Sequence, residues 1–281
     1  MHQMDRMVVD DQGSGPVVVL VHGLGAGMHL WAAWMPALQG FRCLRVDLPG
    51  CGLAAGHVPT TGARMQALSV GHLADALLGL CNRLDVGRAH WLGHSMGTLI
   101  CQKVAVQEPA RVASLALFGP LSSPPEASRR ALEQRALRAR EGGLEAMHTI
   151  AESLAQGTLS ASTRRDDPLI GAFVRELIRR NHPSWYAQHC EALAQAQEEA
   201  LEGIEAPTLL VTGDEDSVTP PQMMRSMTDR LSGAALVQSH VLRGCGHWTP
   251  LERRAECLRL WADFVRACGR VQRPSRARST A

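Results

Sequence analysis

The sequence predicts an α/β fold in which a mostly parallel sheet is flanked by helices and interrupted by a helical insertion. Short apolar segments alternate with helical patterns along most of the chain. Several of these segments are apolar at nearly every position, as is typical of strands buried on both faces of a parallel sheet. The alternation stops at about 121–204, where helical patterns follow one another without a strand.

The predicted elements divide the chain into a core and an insertion. Residues 1–120 and 205–270 form the predicted core, residues 121–204 a helical cap over one end of the sheet, and residues 271–281 a flexible tail. The strand patterns lie at 16–23, 41–47, 88–93, 112–119, 207–214 and 235–242, and the helical patterns of the core at about 67–84, 96–107, 221–232 and 251–268.

The composition is that of an ordinary globular protein. The chain has 281 residues, of which 45% are hydrophobic and 20% charged, and the formal net charge is +2. This balance does not favour a nucleic-acid partner, and no apolar run approaches the roughly 20 residues of a membrane span. The first residues, MHQMDRMVVDD, have no apolar segment of the kind found in secretory signals. We therefore expect a cytoplasmic protein without a membrane or nucleic-acid partner.

The eight cysteines carry no metal-binding signature. They are scattered without CxxC spacing, and several lie in apolar surroundings, where a free cysteine behaves as a small hydrophobic residue. We expect free thiols in a reducing compartment and no bound metal. Their positions are 43, 51, 81, 101, 190, 245, 257 and 268.

The segment GHSMG at 93–97 places Ser95 between a predicted strand and a predicted helix. This is the context of a G-x-S-x-G nucleophile elbow, in which glycines on both sides allow a sharp turn that exposes the serine hydroxyl. The alternative is a serine that only caps the following helix. The motif by itself is of moderate specificity, so the interpretation depends on partners for the serine.

A base and an acid for Ser95 follow two later strands. His247 lies in the glycine-rich segment RGCGHWTP, and DEDSVTPP offers Asp214, Glu215 and Asp216. A serine nucleophile needs an adjacent base, which in turn needs an acid to orient it. Asp216 is favoured as the acid because Asp214 directly follows its strand, where local turn bonds hold it. The sequence thus predicts a Ser95–His247–Asp216 triad, against the alternative that His247 is an ordinary surface histidine.

An acyl-transfer site also needs main-chain N–H donors for its oxyanion. Met96 follows the nucleophile and supplies one predicted donor. Leu24, in the segment HGLGAG at 22–27, supplies the other. Interpreted instead as a phosphate loop, this segment lacks both the G-x-G-x-x-G spacing and a Lys-Ser/Thr ending, so no nucleotide cofactor is indicated.

Together these motifs resemble the α/β-hydrolase superfamily over nearly the whole chain. They are HGLG (22–25), DLPGCG (47–52), GHSMG (93–97), GDEDSVTPP (213–221) and GCGHW (244–248). Within the superfamily, HGLGAGMHLW and SWYAQHCEALAQAQ (184–197) are similar to 3-oxoadipate enol-lactonases, which act without a cofactor. The chain departs from that pattern at Leu53 and Ala54, where a small residue and serine are usual, and at Thr98, where glycine is usual.

The resemblance implies a pocket formed by the insertion and the loop after the first predicted strand. Trp31, Trp185 and Tyr186 are candidate pocket residues, although packing of the insertion on the sheet explains them equally well. A substrate with a carboxylate tail would need an arginine nearby. Candidate arginines on one helical pattern are Arg135, Arg138 and Arg140.

The predicted function is hydrolysis of a small-molecule carboxylic ester or lactone, such as 3-oxoadipate enol-lactone. Two alternatives keep the same triad: hydrolysis of a C–C bond in a ring-fission product, and cofactor-free perhydrolysis. A third hypothesis is a non-catalytic, ligand-binding member of the fold. Nothing in the sequence determines the oligomeric state.

Overall fold

A single seven-stranded sheet organises the protein, and the computed structural model describes residues 7–56 and 67–271. The spatial order of the strands is β1-β3-β2-β4-β5-β6-β7. β1 runs antiparallel to β3, and every other pair of neighbours is parallel. The predicted α/β fold is therefore confirmed. The strands are β1 (Val8–Gly13), β2 (Val17–Val21), β3 (Arg42–Asp47), β4 (Ala89–His94), β5 (Val112–Phe118), β6 (Thr208–Gly213) and β7 (Val237–Leu242).

The edge strand β1 is absent from the strand patterns of the sequence. Its residues VVDDQG are half-buried or exposed, so it lacks the apolar run that marks the central strands. An edge strand pairs on one side only and tolerates such polarity. Two ion pairs with β3 support it, Arg42 with Asp11 at 2.7 Å and Arg45 with Asp10.

Helices follow the strands as the alternating pattern predicts. They are α1 (Val70–Arg83), α2 (Met96–Gln107), α3 (Glu126–Thr158), α4 (Ala161–Asp166), α5 (Pro168–Arg179), α6 (Pro183–Ala194), α7 (Pro221–Arg230), α8 (Thr249–Glu252) and α9 (Arg254–Val271). The pattern at 251–268 predicts one helix, whereas the structure has a break at Arg253 between α8 and α9. All six residues of β6 are buried, as are four of the five residues of β2, which is the burial expected for strands covered on both faces.

The helices α3 to α6 form one continuous insertion between β5 and β6. α3 packs against both α5 and α6, and it is bent at Gly143, where the backbone leaves the helical conformation. The buried positions of α3 include Leu132, Ala136 and Ile150, which belong to the same hydrophobic core as the sheet. The insertion is thus joined to the sheet by shared apolar packing.

Two further findings concern the described ranges. None of their helices combines the length and the apolar character needed to cross a lipid bilayer. All eight cysteines lie within these ranges and are buried free thiols. The tail predicted at 271–281 lies outside the described residues beyond Val271, the last residue of α9.

Candidate functional site

Four loops bring the predicted site residues to one edge of the sheet. Leu24 follows β2, Ser95 follows β4, Asp216 follows β6 and His247 follows β7. These strands are parallel, so their carboxyl ends meet at the same edge, where ligands bind in open α/β sheets.

Ser95 occupies a sharp turn between β4 and α2. Its φ of 53° and ψ of −121° are rare for a residue with a side chain, and such backbone strain is typical of functional positions. Its side chain makes no capping hydrogen bond to α2, which disfavours the cap interpretation. Gly97 makes the turn possible because a Cβ there would lie 2.5 Å from the main-chain oxygen of Val21.

A chain of hydrogen bonds joins Ser95, His247 and Asp216. The distance from Ser95 Oγ to His247 Nε2 is 2.8 Å, and His247 Nδ1 lies 2.9 Å from Asp216 Oδ2 and 3.1 Å from Oδ1. An ionised carboxylate only accepts hydrogen bonds, so Nδ1 carries the proton. Nε2 is then free to accept the Ser95 hydroxyl proton, which is the arrangement that general-base activation requires.

The Asp216 carboxylate is held by the turn that follows it. Oδ1 accepts from the main-chain N–H groups of Val218 and Thr219, each at 2.8 Å, and Oδ2 accepts from the Thr219 hydroxyl at 2.5 Å. Burial alone raises the pKa of this carboxyl, but the charge and hydrogen bond of His247, with the bonds from Thr219, lower the pKa below its usual value. Asp216 is therefore ionised at neutral pH.

The other two acids of this loop are directed elsewhere. Asp214 Oδ1 accepts from the main-chain N–H of Cys245 at 3.2 Å, a bond that steadies the loop before His247. Glu215 Oε2 accepts from the main-chain N–H of Ala161 at 2.8 Å. Of the three acids that the sequence offers, Asp216 is the one that the structure places against His247.

The loop that carries Leu24 lies directly against the nucleophile. A Cβ on Gly23 would be 2.8 Å from Ser95 Cβ, and Leu24 lines the cavity beside Ser95. Met96 is the first residue of α2, so its N–H has no partner within the helix. Leu24 and Met96 both lie next to Ser95, as oxyanion donors must. Their assignment as donors stays a prediction.

His22 stabilises this loop from behind, a role that sequence reasoning missed. Its Nδ1–H donates to the main-chain oxygen of Gly23 at 2.8 Å, and its Nε2 accepts from the N–H of Leu48 at 3.0 Å. Burial lowers the pKa of His22, which keeps the ring neutral and able to play both roles. The signal that could have identified it is its place as the first residue of the HGLG motif, directly after β2.

His94, the variable residue of the G-x-S-x-G motif, supports His247. Its Nε2–H donates to the main-chain oxygen of His247 at 3.0 Å, and its ring centroid lies 5.1 Å from that of His247 and 5.2 Å from that of Trp248. Burial and the neighbouring His247 lower the pKa of His94 to about 3. A neutral ring therefore packs against the base. The two residues are 153 positions apart in the chain, so no local sequence pattern predicts this contact.

Ser95 and His247 open into a mainly apolar cavity of about 220 Å³ between the sheet and the insertion. α3 provides one wall through Leu132, Arg135 and other residues, and Trp248 contributes from the His247 loop. A larger cleft of about 520 Å³ lies along the bend of α3 and shares Arg135 with this cavity, but it contains neither Ser95 nor His247. The smaller cavity is thus the one that offers a substrate to the serine.

The three predicted pocket aromatics lie outside the lining of this cavity. Trp31 is fully buried, with its ring centroid 6.1 Å from that of Phe118. Trp185 packs on Gly50, where a Cβ would lie 2.0 Å from Trp185 Cγ. Tyr186 is buried in the hydrophobic core and packs on Gly25, where a Cβ would lie 2.9 Å from Tyr186 Cε2. Their role as substrate contacts stays a prediction, while their packing role is visible in the structure.

Comparison with protein families and curated proteins identifies relatives along most of the chain. Residues 16–253 match the family described as alpha/beta hydrolase fold. The chain is 27% identical to a 2-hydroxy-6-oxononadienedioate/2-hydroxy-6-oxononatrienedioate hydrolase of Cupriavidus pinatubonensis, covering 92% of this chain and 90% of the relative. It is also 27% identical to a 2-hydroxymuconate semialdehyde hydrolase of Pseudomonas sp. strain CF600, with the same coverage.

Solved structures show the same architecture. An esterase from Thermogutta terrifontis superimposes with a TM-score of 0.82 at 26% identity, and the match covers 93% of each chain. The enol-lactonase from Burkholderia xenovorans LB400 superimposes with a TM-score of 0.80 at 25% identity, covering 92% of this chain and 96% of the other.

Proposed function

Because the chain belongs to the α/β-hydrolase fold family, we propose that it is a serine hydrolase that cleaves a carboxylic ester or lactone with Ser95, His247 and Asp216. The observation that carries this proposal is the hydrogen-bond chain from Ser95 Oγ through His247 to Asp216, which begins in the cavity. The esterase and the enol-lactonase among the structural relatives support the same reaction class.

The first half of the reaction forms an acyl-enzyme. Ser95 Oγ attacks the substrate carbonyl carbon while its proton passes to His247 Nε2. The Asp216 carboxylate stabilises the imidazolium that results. The tetrahedral oxyanion accepts hydrogen bonds from the N–H groups of Leu24 and Met96. The C–O bond of the ester then breaks as His247 returns its proton to the leaving oxygen.

The second half releases the acid. A water molecule attacks the acyl carbon and gives a proton to His247 Nε2, and the new tetrahedral intermediate expels Ser95 Oγ, which recovers the proton. With a lactone, the leaving oxygen stays attached to the acyl chain, so the product is one opened hydroxy acid. Neither half needs a cofactor.

The insertion acts as a cap that selects the substrate. Its α3 supplies Leu132, Arg135, Leu154 and Thr158 to the cavity wall, and α6 supplies Leu193. Most of these side chains are apolar, so the acyl chain lies against them, as small-molecule sites commonly allow.

Arg135 suggests that the substrate carries a carboxylate. It is half-buried and lines the cavity that contains Ser95, and no carboxylate of the described residues forms an ion pair with it. Arg140, by contrast, pairs with Glu191 at 2.8 Å, and Arg138 is exposed and lines only the outer cleft. A guanidinium is well suited to binding a carboxylate. The relative named as a nonadienedioate hydrolase acts on a dicarboxylate, in agreement with this proposal.

A second candidate function is hydrolysis of a C–C bond, which the curated relatives favour. 2-Hydroxymuconate semialdehyde contains no ester, so a hydrolase acting on it must break a carbon–carbon bond. The same serine, histidine and oxyanion donors would serve, but the leaving group is then a carbon atom that must be protonated. Turnover of the ring-fission product in preference to every ester and lactone would favour this candidate.

The test compares wild type with Ser95→Ala on three substrates: p-nitrophenyl butyrate, an enol-lactone and a ring-fission dienoate. A fluorophosphonate probe, whose phosphorus binds Ser95 Oγ as fluoride leaves, reports the nucleophile independently of the substrate. We expect S95A to lose turnover and labelling, while Ser217→Ala, which removes another hydroxyl of the same cavity, keeps the label. Full activity of S95A would rule out the proposal.

A further inference from the structure

We infer that Glu252 is a positioning residue that holds the His247 loop in place and anchors it to the helical insertion. Its Oε2 accepts from the main-chain N–H of Ser160 at 2.9 Å and from that of Gly246 at 3.1 Å. Its Oε1 accepts from the N–H of Trp248 at 3.1 Å. Two of these donors are the immediate neighbours of His247. The inference rests on the proposed function, in which His247 is the base.

The Glu252 carboxylate is buried, and main-chain N–H groups are its hydrogen-bond partners. Glu252 is only 7% exposed, and no cationic side chain of the described residues forms an ion pair with it. The guanidinium of the adjacent Arg253 donates instead to the main-chain oxygen of Gly244. A buried carboxylate is costly unless hydrogen bonds satisfy it, so the three N–H donors determine where it lies.

Helix capping accounts for only one of the three bonds. Trp248 is the N-cap residue of α8, and a glutamate inside a helix commonly reaches back to the N–H at that position. The N–H groups of Gly246 and Ser160 lie outside α8. Ser160 belongs to the insertion, 92 residues away in the chain. Glu252 therefore bonds to the His247 loop at Gly246 and to the insertion at Ser160, and helix capping explains neither bond.

The contacts around Glu252 extend this connection to His247 itself. The main-chain N–H of His247 donates to the oxygen of Thr158 at 2.7 Å, and Trp248 Nε1 donates to Thr158 Oγ1 at 2.8 Å. The approach is so close that a Cβ on Gly246 would lie 2.4 Å from the Thr158 oxygen. The loop that carries the base is thus fixed to the end of α3, which also lines the substrate cavity.

The test replaces Glu252 with Gln, which keeps the shape but turns one acceptor oxygen into an amide donor facing an N–H group. We expect the folded E252Q enzyme to react with the fluorophosphonate probe about 100-fold more slowly, because a displacement of about 1 Å in a catalytic group costs about that factor. With p-nitrophenyl butyrate, kcat falls similarly and KM changes less, since Leu132, Leu154 and Leu193 of the insertion still line the cavity.

Glu215→Gln is the matched control. Glu215 holds the same junction through the N–H of Ala161 but makes no hydrogen bond to either neighbour of His247 through its side chain. We expect its labelling rate to stay within about twofold of wild type. A slower rate in E252Q than in E215Q, at equal folding by circular dichroism, supports the positioning role.

Two outcomes separate the two proposals. If folded E252Q labels at the wild-type rate and only its melting temperature falls, Glu252 is a structural cap and the inference is wrong. If S95A still labels and turns over substrate, the proposed function itself is wrong. Should E252Q not fold, Glu252→Asp gives the test instead, because its shorter side chain cannot reach all three donors. A wild-type rate in folded E252D would then contradict the inference.

Discussion

The Thr98 hydroxyl donates a hydrogen bond of 2.6 Å to the main-chain oxygen of Ser95. The same hydroxyl accepts from the N–H of Leu121 at 3.0 Å. Thr98 is one of the positions where the sequence departs from enol-lactonases, and it is fully buried. Its side chain thus joins the nucleophile turn to the segment after β5 that lines the cavity.

Replacing Thr98 with Val should destabilise the protein. Valine has the same shape but no hydroxyl, so the buried N–H of Leu121 loses its acceptor, at a cost of about 1–3 kcal/mol in the free energy of unfolding. We expect a melting temperature lower by about 2–4 °C for each kcal/mol, measured by calorimetry. Thr98→Ser, which keeps the hydroxyl, should melt closer to wild type. Equal melting of T98V and wild type would show that this bond contributes nothing.

Asp216→Asn should remove most of the activity while leaving substrate binding intact. The asparagine amide can donate to His247 Nδ1, which favours the tautomer with the proton on Nε2, and that tautomer cannot accept the Ser95 proton. In a serine protease the corresponding change lowers kcat by about 10⁴-fold, and we expect a loss of similar order. Steady-state kinetics on the best ester should show this fall in kcat at a nearly constant KM.

Asp214→Asn is the control for this experiment. The asparagine oxygen can still accept from the N–H of Cys245, as Asp214 does at 3.2 Å. We expect kcat to stay within about threefold of wild type. If D214N lost as much activity as D216N, the acid would have been assigned to the wrong residue.

The apolar central strands made the fold predictable, because burial on both faces leaves a continuous hydrophobic signal. β1 escaped prediction since an edge strand with exposed polar residues leaves no such signal. The predictability of the site residues also depends on whether they follow an apolar strand. Ser95 and the loops of Asp216 and His247 follow strands, so their meeting at one edge could be expected from chain order.

Residues that act through tertiary contacts could not be found this way. Glu252 reaches Ser160 across 92 residues, and His94 reaches His247 across 153. Neither contact has a spacing or a motif that marks it, because main-chain donors and acceptors are present at almost every position. The sequence likewise does not reveal which arginine of α3 lines the cavity. Only the packing of α3 against the rest of the protein distinguishes Arg135, which lines the cavity, from Arg138, which is exposed.

Arg135→Gln should reduce activity on charged substrates selectively. The loss of a hydrogen bond to a charged group costs about 1.5–3 kcal/mol, so kcat/KM should fall about 10- to 150-fold for the p-nitrophenyl monoester of a dicarboxylic acid. The neutral p-nitrophenyl ester of the same chain length should be hydrolysed at nearly the wild-type rate. Competition assays with both esters measure this ratio directly.

Arg138→Gln provides the comparison for Arg135. Arg138 lies on the same helix but is exposed and is absent from the lining of the catalytic cavity. We expect R138Q to leave the ratio of charged to neutral turnover unchanged. Equal losses on both esters in R135Q would point to a packing role for Arg135 and remove the argument for an anionic substrate.

His189→Gln should flatten the dependence of stability on pH. His189 is buried and donates from Nε2 to the main-chain oxygen of Pro49 at 2.9 Å. Burial lowers its pKa from 6.5 to about 4, although the bond to Pro49 acts in the opposite direction. Between these two pKa values the unfolded chain binds the extra proton. The folded state therefore loses about 1.4 kcal/mol of stability for each unit of decreasing pH, and this contribution is fully present only above pH 6.5.

The glutamine of H189Q can still donate to Pro49 but does not titrate, so its unfolding free energy should fall less steeply as the pH decreases. Urea unfolding of both proteins between about pH 7 and pH 5 measures the difference, which should approach one proton per molecule. The slope should not vanish, because His94 is also buried with a lowered pKa and contributes with the same sign. Parallel curves for the two proteins would mean that His189 has the same pKa in the folded and unfolded states, because only then would its removal leave the proton balance of unfolding unchanged.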